Sequence, residues 1–344
     1  MKKTVFSMAR RFSGLALACG LLATATLSGA QTGTASEGIL VYNAQHVSLT
    51  QAWANAFTAE TGIKVTLRNG SDTELGNQIV QEGAASPADV FLTENSPAIA
   101  LVDSRGLLAP LASDTLAQTA ANYRPAHGRW TGIAARSTVF VYDKRRLSPA
   151  QLPKSLLDLA KPEWKGRWAA SPAGADFQAI VSALLELKGE ASTLAWLKAM
   201  KENAVTFKGN GVAMKAVNAG QVDAAVIYHY YRVADQAKTG ENSNNLGVHY
   251  FKNEDPGAFV SISGGGVLAS SKRQTQAQAF VKWVTGKGGQ GILRTGDSYE
   301  YAVGTGAASH PQLVPLAELQ SPKVEPSKLN SKKVSDLMTQ AGLF

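Results

Sequence analysis

Cysteine is almost missing from this 344-residue chain: the single one, Cys19, lies in an N-terminal stretch with the three parts of an export signal. Basic "MKKTVFSMARR" leads into an apolar run from Leu15 to Leu27, and the small-residue pattern "SGA" stands just before Gln31. Residues 1–30 therefore read as a signal peptide, with the mature chain beginning near Gln31. That mature chain has no cysteine, which excludes disulfides and thiolate metal sites together. Lipidation at Cys19 is disfavoured because "LALAC" has Ala16 where a lipobox carries leucine, and Phe12 directly after Arg10 and Arg11 weakens a twin-arginine signal without deciding between Sec and Tat export.

Other absences narrow the field further. The apolar run of the signal is shorter than the roughly 20 residues a membrane span needs. There is no "GxSxG" and no "HExxH", so serine-hydrolase and zinc-protease chemistry have no footing. The glycine clusters fail as phosphate loops: "GKGGQG" follows a helical pattern instead of a strand, and "SGGG" lacks the lysine and hydroxyl residue that must come after it. Excess charge is modest too. The signal holds Lys2, Lys3, Arg10 and Arg11 and no acid, so its removal takes the formal charge from +8 to +4 and leaves no basis for a nucleic-acid partner.

What remains is a chain of globular composition, 44% hydrophobic and 17% charged, long enough to bury two cores. Short apolar runs alternate with helical patterns. "GILVY" (Gly38 to Tyr42) reads as a buried strand, followed by a helix capped by Ser48 with Leu49, Trp53, Ala56 and Phe57 on one face and Gly62 closing it. "IKVTL", the helix "TELGNQIVQEG" and the strand "ADVFL" complete a βαβαβ unit, the signature of a parallel sheet covered by helices. The alternation resumes with "TVFVYD", "FQAIVSALLELKG", "GVAMKAVNAG", "VDAAVI" and "QAQAFVKWVTGKGG". No repeat or long linker interrupts it, so two α/β lobes joined through strands are expected.

In open α/β sheets ligands bind beyond the carboxyl ends of the strands. "NAQH" after the first strand offers His46, "TEN" after "ADVFL" offers Glu94, and "YHYY" after "VDAAVI" offers Tyr230 and Tyr231. Taken singly, each has an ordinary structural reading, as a helix start, a solvated carboxylate or packed rings. Together they form an oxygen-rich set with one imidazole, suited to a hard or borderline cation. Phenolate is a good donor to ferric iron, and two phenolates with one carboxylate balance three positive charges. The set points to Fe(III).

Over essentially its whole mature length the sequence resembles the periplasmic ferric-iron-binding proteins of bacterial ABC transporters. The likeness rests on "VYNAQH", "TGIKV", "QEGAASPADVFLTENSPA", "ARSTVFVYDKRRLSP", "LLELKGE", "GQVDAAVIYHYYR" and "DPGAFVSISGGGVL". It implies a two-lobed α/β fold of the type II periplasmic-binding-protein kind, with crossing strands near Arg136 to Tyr142 and Phe259 to Val267. The "SGGG" of the second crossing is expected to allow close backbone approach and unusual φ values. The implied lobes are residues 31–136 plus 264–313 and residues 137–263 plus 314–344. The implied ligands are His46, Glu94, Tyr230 and Tyr231, the same four found at the strand ends.

The resemblance also implies a synergistic anion, carbonate or phosphate, near Arg136, Gly174, Ala175 and Asn210. Here the chain departs from the phosphate-binding pattern: "PAGADF" brings in Asp176, which would repel an anion if it pointed inward, and Tyr228 replaces an asparagine. The implied activity is capture of ferric iron by a periplasmic monomer and delivery to an inner-membrane ABC permease and its ATPase, with no enzymatic turnover. Two alternatives are the same fold carrying a polyamine, thiamine, sulfate or phosphonate, and a tyrosine-ligated Fe(III) enzyme of the catechol dioxygenase kind that would draw on His229, His127 or His249.

Overall fold

The computed structural model describes residues 38–344, so the predicted signal peptide and Cys19 lie outside the described residues. In chain order the elements are β1 (Ile39–Asn43), α1 (Val47–Thr61), β2 (Val65–Asn69), α2 (Asp72–Glu82), β3 (Val90–Leu92), α3 (Ser96–Ser104), the short α4 (Ser113–Leu116) and β4 (Trp130–Asp143). There follow β5 (Trp168–Ala170), α5 (Ala175–Asn203), β6 (Ala204–Thr206), α6 (Asn210–Asn218), β7 (Ala224–Tyr228), α7 (His229–Lys238) and β8 (Leu246–His249). The last are β9 (Val260–Val267), α8 (Gln274–Thr285), α9 (Lys287–Thr295) and α10 (Ser331–Gln340).

The strands run in the order β2-β1-β3-β9-β4-β7-β5-β6, with β8 also on β4. Parallel pairing of β1 with β2 and β3 is the βαβαβ unit expected from the alternation of apolar runs. The 14-residue β4 belongs to two sheet regions: Trp130 to Ser137 pair with β9, and Thr138 to Asp143 pair with β7 and β8. The first region, with β1, β2, β3 and β9, is packed between two apolar clusters, one of which buries Leu49, Trp53 and Phe57 of α1. The second, with β5, β6, β7 and β8, has its own clusters around Trp168, Phe177 and Trp196 and around Val141, Val217 and Ile227. Two cores thus hang on one shared strand, each burying enough large side chains, at roughly 1.5–3 kcal/mol apiece, to hold its own region together.

Two local expectations are corrected. Ser48 does not cap α1; the helix starts two residues earlier, at Val47 with His46 in the cap position, while Gly62 does close it at φ 75°. Gly264, Gly265 and Gly266 are not among the residues of positive φ. Their smallness serves close packing instead. A Cβ on Gly264 would lie 2.6 Å from Ile99 Cγ2, and one on Gly265 would lie 2.7 Å from Ile133 Cγ2.

Candidate metal centre

Each of the four candidate ligands sits where an element ends or begins. His46 precedes α1, Glu94 lies between β3 and α3, and Tyr230 and Tyr231 form the first turn of α7 directly after β7. The first two come from the first sheet region and the tyrosines from the second, and the fold brings all four together. The Glu94 carboxylate is the meeting point: its Oε1 lies 3.0 Å from His46 Nε2 and accepts from the Tyr230 hydroxyl at 3.0 Å. The Tyr230 and Tyr231 rings stack at 4.3 Å between centroids, and the His46 ring meets Tyr230 edge-on at 4.7 Å.

A second carboxylate closes the group from the other side. Asp176, in the first turn of α5, has Oδ2 3.2 Å from each tyrosine hydroxyl and accepts from Asn210 Nδ2 at 2.8 Å. It points inward and is buried. Of the four residues expected to hold an anion, Asn210 and Arg136 reach this protein carboxylate. Asn210 opens α6 and donates to Asp176; Arg136 Nη1 lies 4.0 Å from Asp176 Oδ1. Gly174 is the cap residue of α5, its N–H donating to Ser171 O, and Ala175 lines a cleft of about 420 Å³ beside Asp72 and Asn95.

Arg136 is fully buried on β4, and carboxylates hold it in place. Its Nη1 is 2.6 Å from Glu94 Oε1, and its Nη2 donates to Glu300 Oε2 at 2.8 Å and to Ser263 Oγ at 2.9 Å. Glu300, completely buried, also reaches His46 Nδ1 through Oε1 at 2.9 Å. Sequence reasoning missed this residue. It follows no strand, and "GDSYEYAVG" carries no motif that distinguishes it. Asp72 was missed as well: from the start of α2 it accepts the backbone N–H groups of Glu94 and Asn95, both at 2.9 Å, and so fixes the loop that carries Glu94. Tyr228 resolves as core: it is buried, and its hydroxyl donates to Asn95 Oδ1 and Asp176 O.

The charges perturb one another strongly. Burial pulls the His46 ring down, but Glu300 and Glu94 outweigh it and push its pKa up to about 10. Burial raises Glu94, and Arg136 and His46 more than reverse that, holding it at about 2. Asp176 is raised to about 6 by burial and by the Glu94 charge. Tyr230 and Tyr231 are raised by burial and then by Asp176 and Glu94. Phenols in this setting keep their protons at neutral pH, and a multivalent cation among them inverts that balance by stabilising the phenolates.

The histidines that a dioxygenase would need are placed elsewhere. His229 is buried with Nε2 donating to Tyr299 O and Nδ1 accepting from Ser137 N, and burial lowers its pKa to about 4. His127 pairs with Asp103, and His249 contacts Pro153 O. Among the described residues, no group of three or more His, Cys, Asp or Glu is placed to hold a metal by itself. A metal at this centre needs the phenols.

Two α/β regions sharing β4, with polar groups converging from the strand ends of both, define a two-lobed solute-binding protein with the type II periplasmic-binding-protein fold. The chain belongs to the bacterial extracellular solute-binding protein family, whose model matches residues 85–325. It is 72% identical over 316 residues to the Fe(3+)-binding periplasmic protein of Serratia marcescens, covering 92% of this chain and 94% of that one. It is 39% identical to the major ferric iron-binding protein of Neisseria meningitidis serogroup B, over 89% of this chain and 93% of the relative. The solved structure of iron-bound HitA from Pseudomonas aeruginosa superposes with a TM-score of 0.84 at 39% identity, covering 89% of this chain and 99% of that one.

Proposed function

We propose that this protein captures ferric iron between its two lobes in the periplasm and delivers it to an inner-membrane ABC permease driven by a partner ATPase. The observation that carries this reading is the meeting of His46, Glu94, Tyr230 and Tyr231 from both sheet regions around a shared set of short contacts. The iron-binding relatives, with identities of 72% and 39%, support the same cargo, and the periplasmic naming of the Serratia relative supports residues 1–30 as a signal peptide. Nothing is chemically transformed: the protein binds, closes and releases.

The lobes are residues 31–136 plus 264–313 and residues 137–263 plus 314–344. The change of β4's pairing between Ser137 and Thr138 supports the first boundary, and the packing of α10 on α5 supports placing the C-terminal segment in the second lobe. The tyrosines of the second lobe take the ion first, and hinge closure brings His46 and Glu94 to it. Closure is driven by the ion's higher affinity for the closed form.

Two phenolates and Glu94 balance the charge of Fe(III). Asp176 stands beside both phenols and is available as a further oxygen donor, so the reading needs no exchangeable carbonate or phosphate. The protein works as a monomer. The test is a titration of metal-free protein with ferric citrate, comparing wild type with the Tyr230→Phe/Tyr231→Phe double variant. A phenolate-to-iron visible band that saturates at one equivalent in wild type and vanishes in the variant is expected; a wild type without such a band would refute the reading.

A further inference from the structure

Asn95 occupies the cap position of α3, where asparagine ordinarily turns its side chain onto the exposed N–H groups of its own helix. Here it makes no such bond. The side chain is 1% exposed and turns away from the helix, using its full hydrogen-bonding capacity on four other residues. Its Nδ2 donates to Asp176 Oδ1 at 3.0 Å and to Asp72 Oδ2 at 3.2 Å. Its Oδ1 accepts from Ser261 Oγ at 2.8 Å and from the Tyr228 hydroxyl at 3.2 Å.

These partners lie on four elements, α5, α2, β9 and β7. Asp72 shares the first sheet region with Asn95, Ser261 sits on the strand beside β4, and Asp176 and Tyr228 belong to the second region. One amide therefore ties the two regions together next to the tyrosine pair. It also sets the rotation of the Asp176 carboxylate. With Oδ1 held by Asn95, Oδ2 is left facing both phenols.

We propose that Asn95 is a positioning residue that latches the closed cleft and aims Asp176 at the tyrosines, and so governs how slowly the cargo leaves. This rests on the iron-site reading above. Opening the cleft breaks the bonds to Asp176, Tyr228 and Ser261, which the bounds above put in the second lobe, while that to Asp72 stays within one lobe, so the latch acts on release and leaves first capture by the open lobe nearly unchanged. Conventional capping would be kept by serine or aspartate at this position, but only an amide supplies two donors and two acceptors at once.

The experiment compares wild type, Asn95→Ala and the milder Ser261→Ala, each secreted and purified as the whole protein. Loading with ferric citrate is followed by release into excess EDTA, read by the visible band. X-ray scattering reports closure of the loaded and metal-free forms, and thermal melting reports folding. Asn95→Ala is expected to load one equivalent with an unshifted band and a similar capture rate, and to release at least about tenfold faster, as the loss of charge-assisted bonds implies. Ser261→Ala should move release the same way by about threefold.

Release within about twofold of wild type in both folded variants would overturn the latch, whatever the affinity of the site. If wild type itself shows no band, the iron reading has failed separately. The latch is then judged by scattering from the metal-free proteins: a larger radius of gyration for Asn95→Ala supports it, and equal radii overturn it.

Discussion

Replacing Asp176 by asparagine should make the metal-free protein more stable and the iron complex weaker. The carboxylate is buried, and burial together with the nearby Glu94 charge raises its pKa from 3.8 to about 6. For an acid raised in the folded state the sign is unambiguous: below 3.8 the folded and unfolded forms are both protonated, and as pH climbs through 6 the folded form loses stability relative to the unfolded one. That difference corresponds to roughly 3 kcal/mol at most. An uncharged amide escapes it but gives up part of the bonding, since Asn210, Asn95 and both phenols all contact the carboxylate now. A net gain of about 1–2 kcal/mol at pH 7.5 is the expectation, shrinking towards zero at pH 4. The same substitution removes a negative oxygen from the phenols' side of the site, so ferric affinity should fall by about 10–100-fold. Thermal or urea unfolding of metal-free protein at the two pH values, with chelator competition for iron, measures both quantities. A variant less stable at pH 7.5 than wild type, with unchanged iron affinity, would show that Asp176 is a structural hydrogen-bonding partner and would refute the reasoning.

Two further expectations follow from the same charges. Glu300→Gln breaks a buried arrangement in which one carboxylate holds both Arg136 and His46, so unfolding free energy should drop by about 3–5 kcal/mol, and iron affinity should fall with it because His46 loses its Nδ1 partner; calorimetry and chelator competition would detect both, and an unchanged melting temperature would contradict the burial argument. Iron affinity should also fall steeply between pH 7.5 and 5.5, because His46 is raised to about 10 and both tyrosines lie above the ordinary phenol range, so all three release protons on binding. Each displaced proton contributes about tenfold per pH unit, and a flat profile would mean these groups are not ligands.

The local alternation of apolar runs and helix signals set out the βαβαβ start, the strand of the tyrosine pair and the helices between them, because strand and helix periodicities are properties of adjacent residues. It also exposed His46, Glu94, Tyr230 and Tyr231, since side chains that follow a buried strand have to emerge at its end. The beginning of α1 was read two residues late because Ser48 is a good cap by type, whereas His46 takes the cap position without making a side-chain bond. Extended φ at the glycine run was equally invisible, since crowding by Ile99 and Ile133 comes from distant parts of the chain.

What the sequence determined by itself was which chemical groups stand at strand ends and that residues 31–344 carry no thiol. What tertiary structure alone decided was which of those groups meet, and how their charges respond. Glu300 joins Arg136 and His46 across 164 and 254 positions of chain, Asp176 turns inward onto the phenols, and Asn95 leaves its own helix uncapped to reach four other elements. No pattern of neighbouring residues encodes such contacts. They arise because packing two cores on one shared strand leaves a few buried polar groups that must find partners in space.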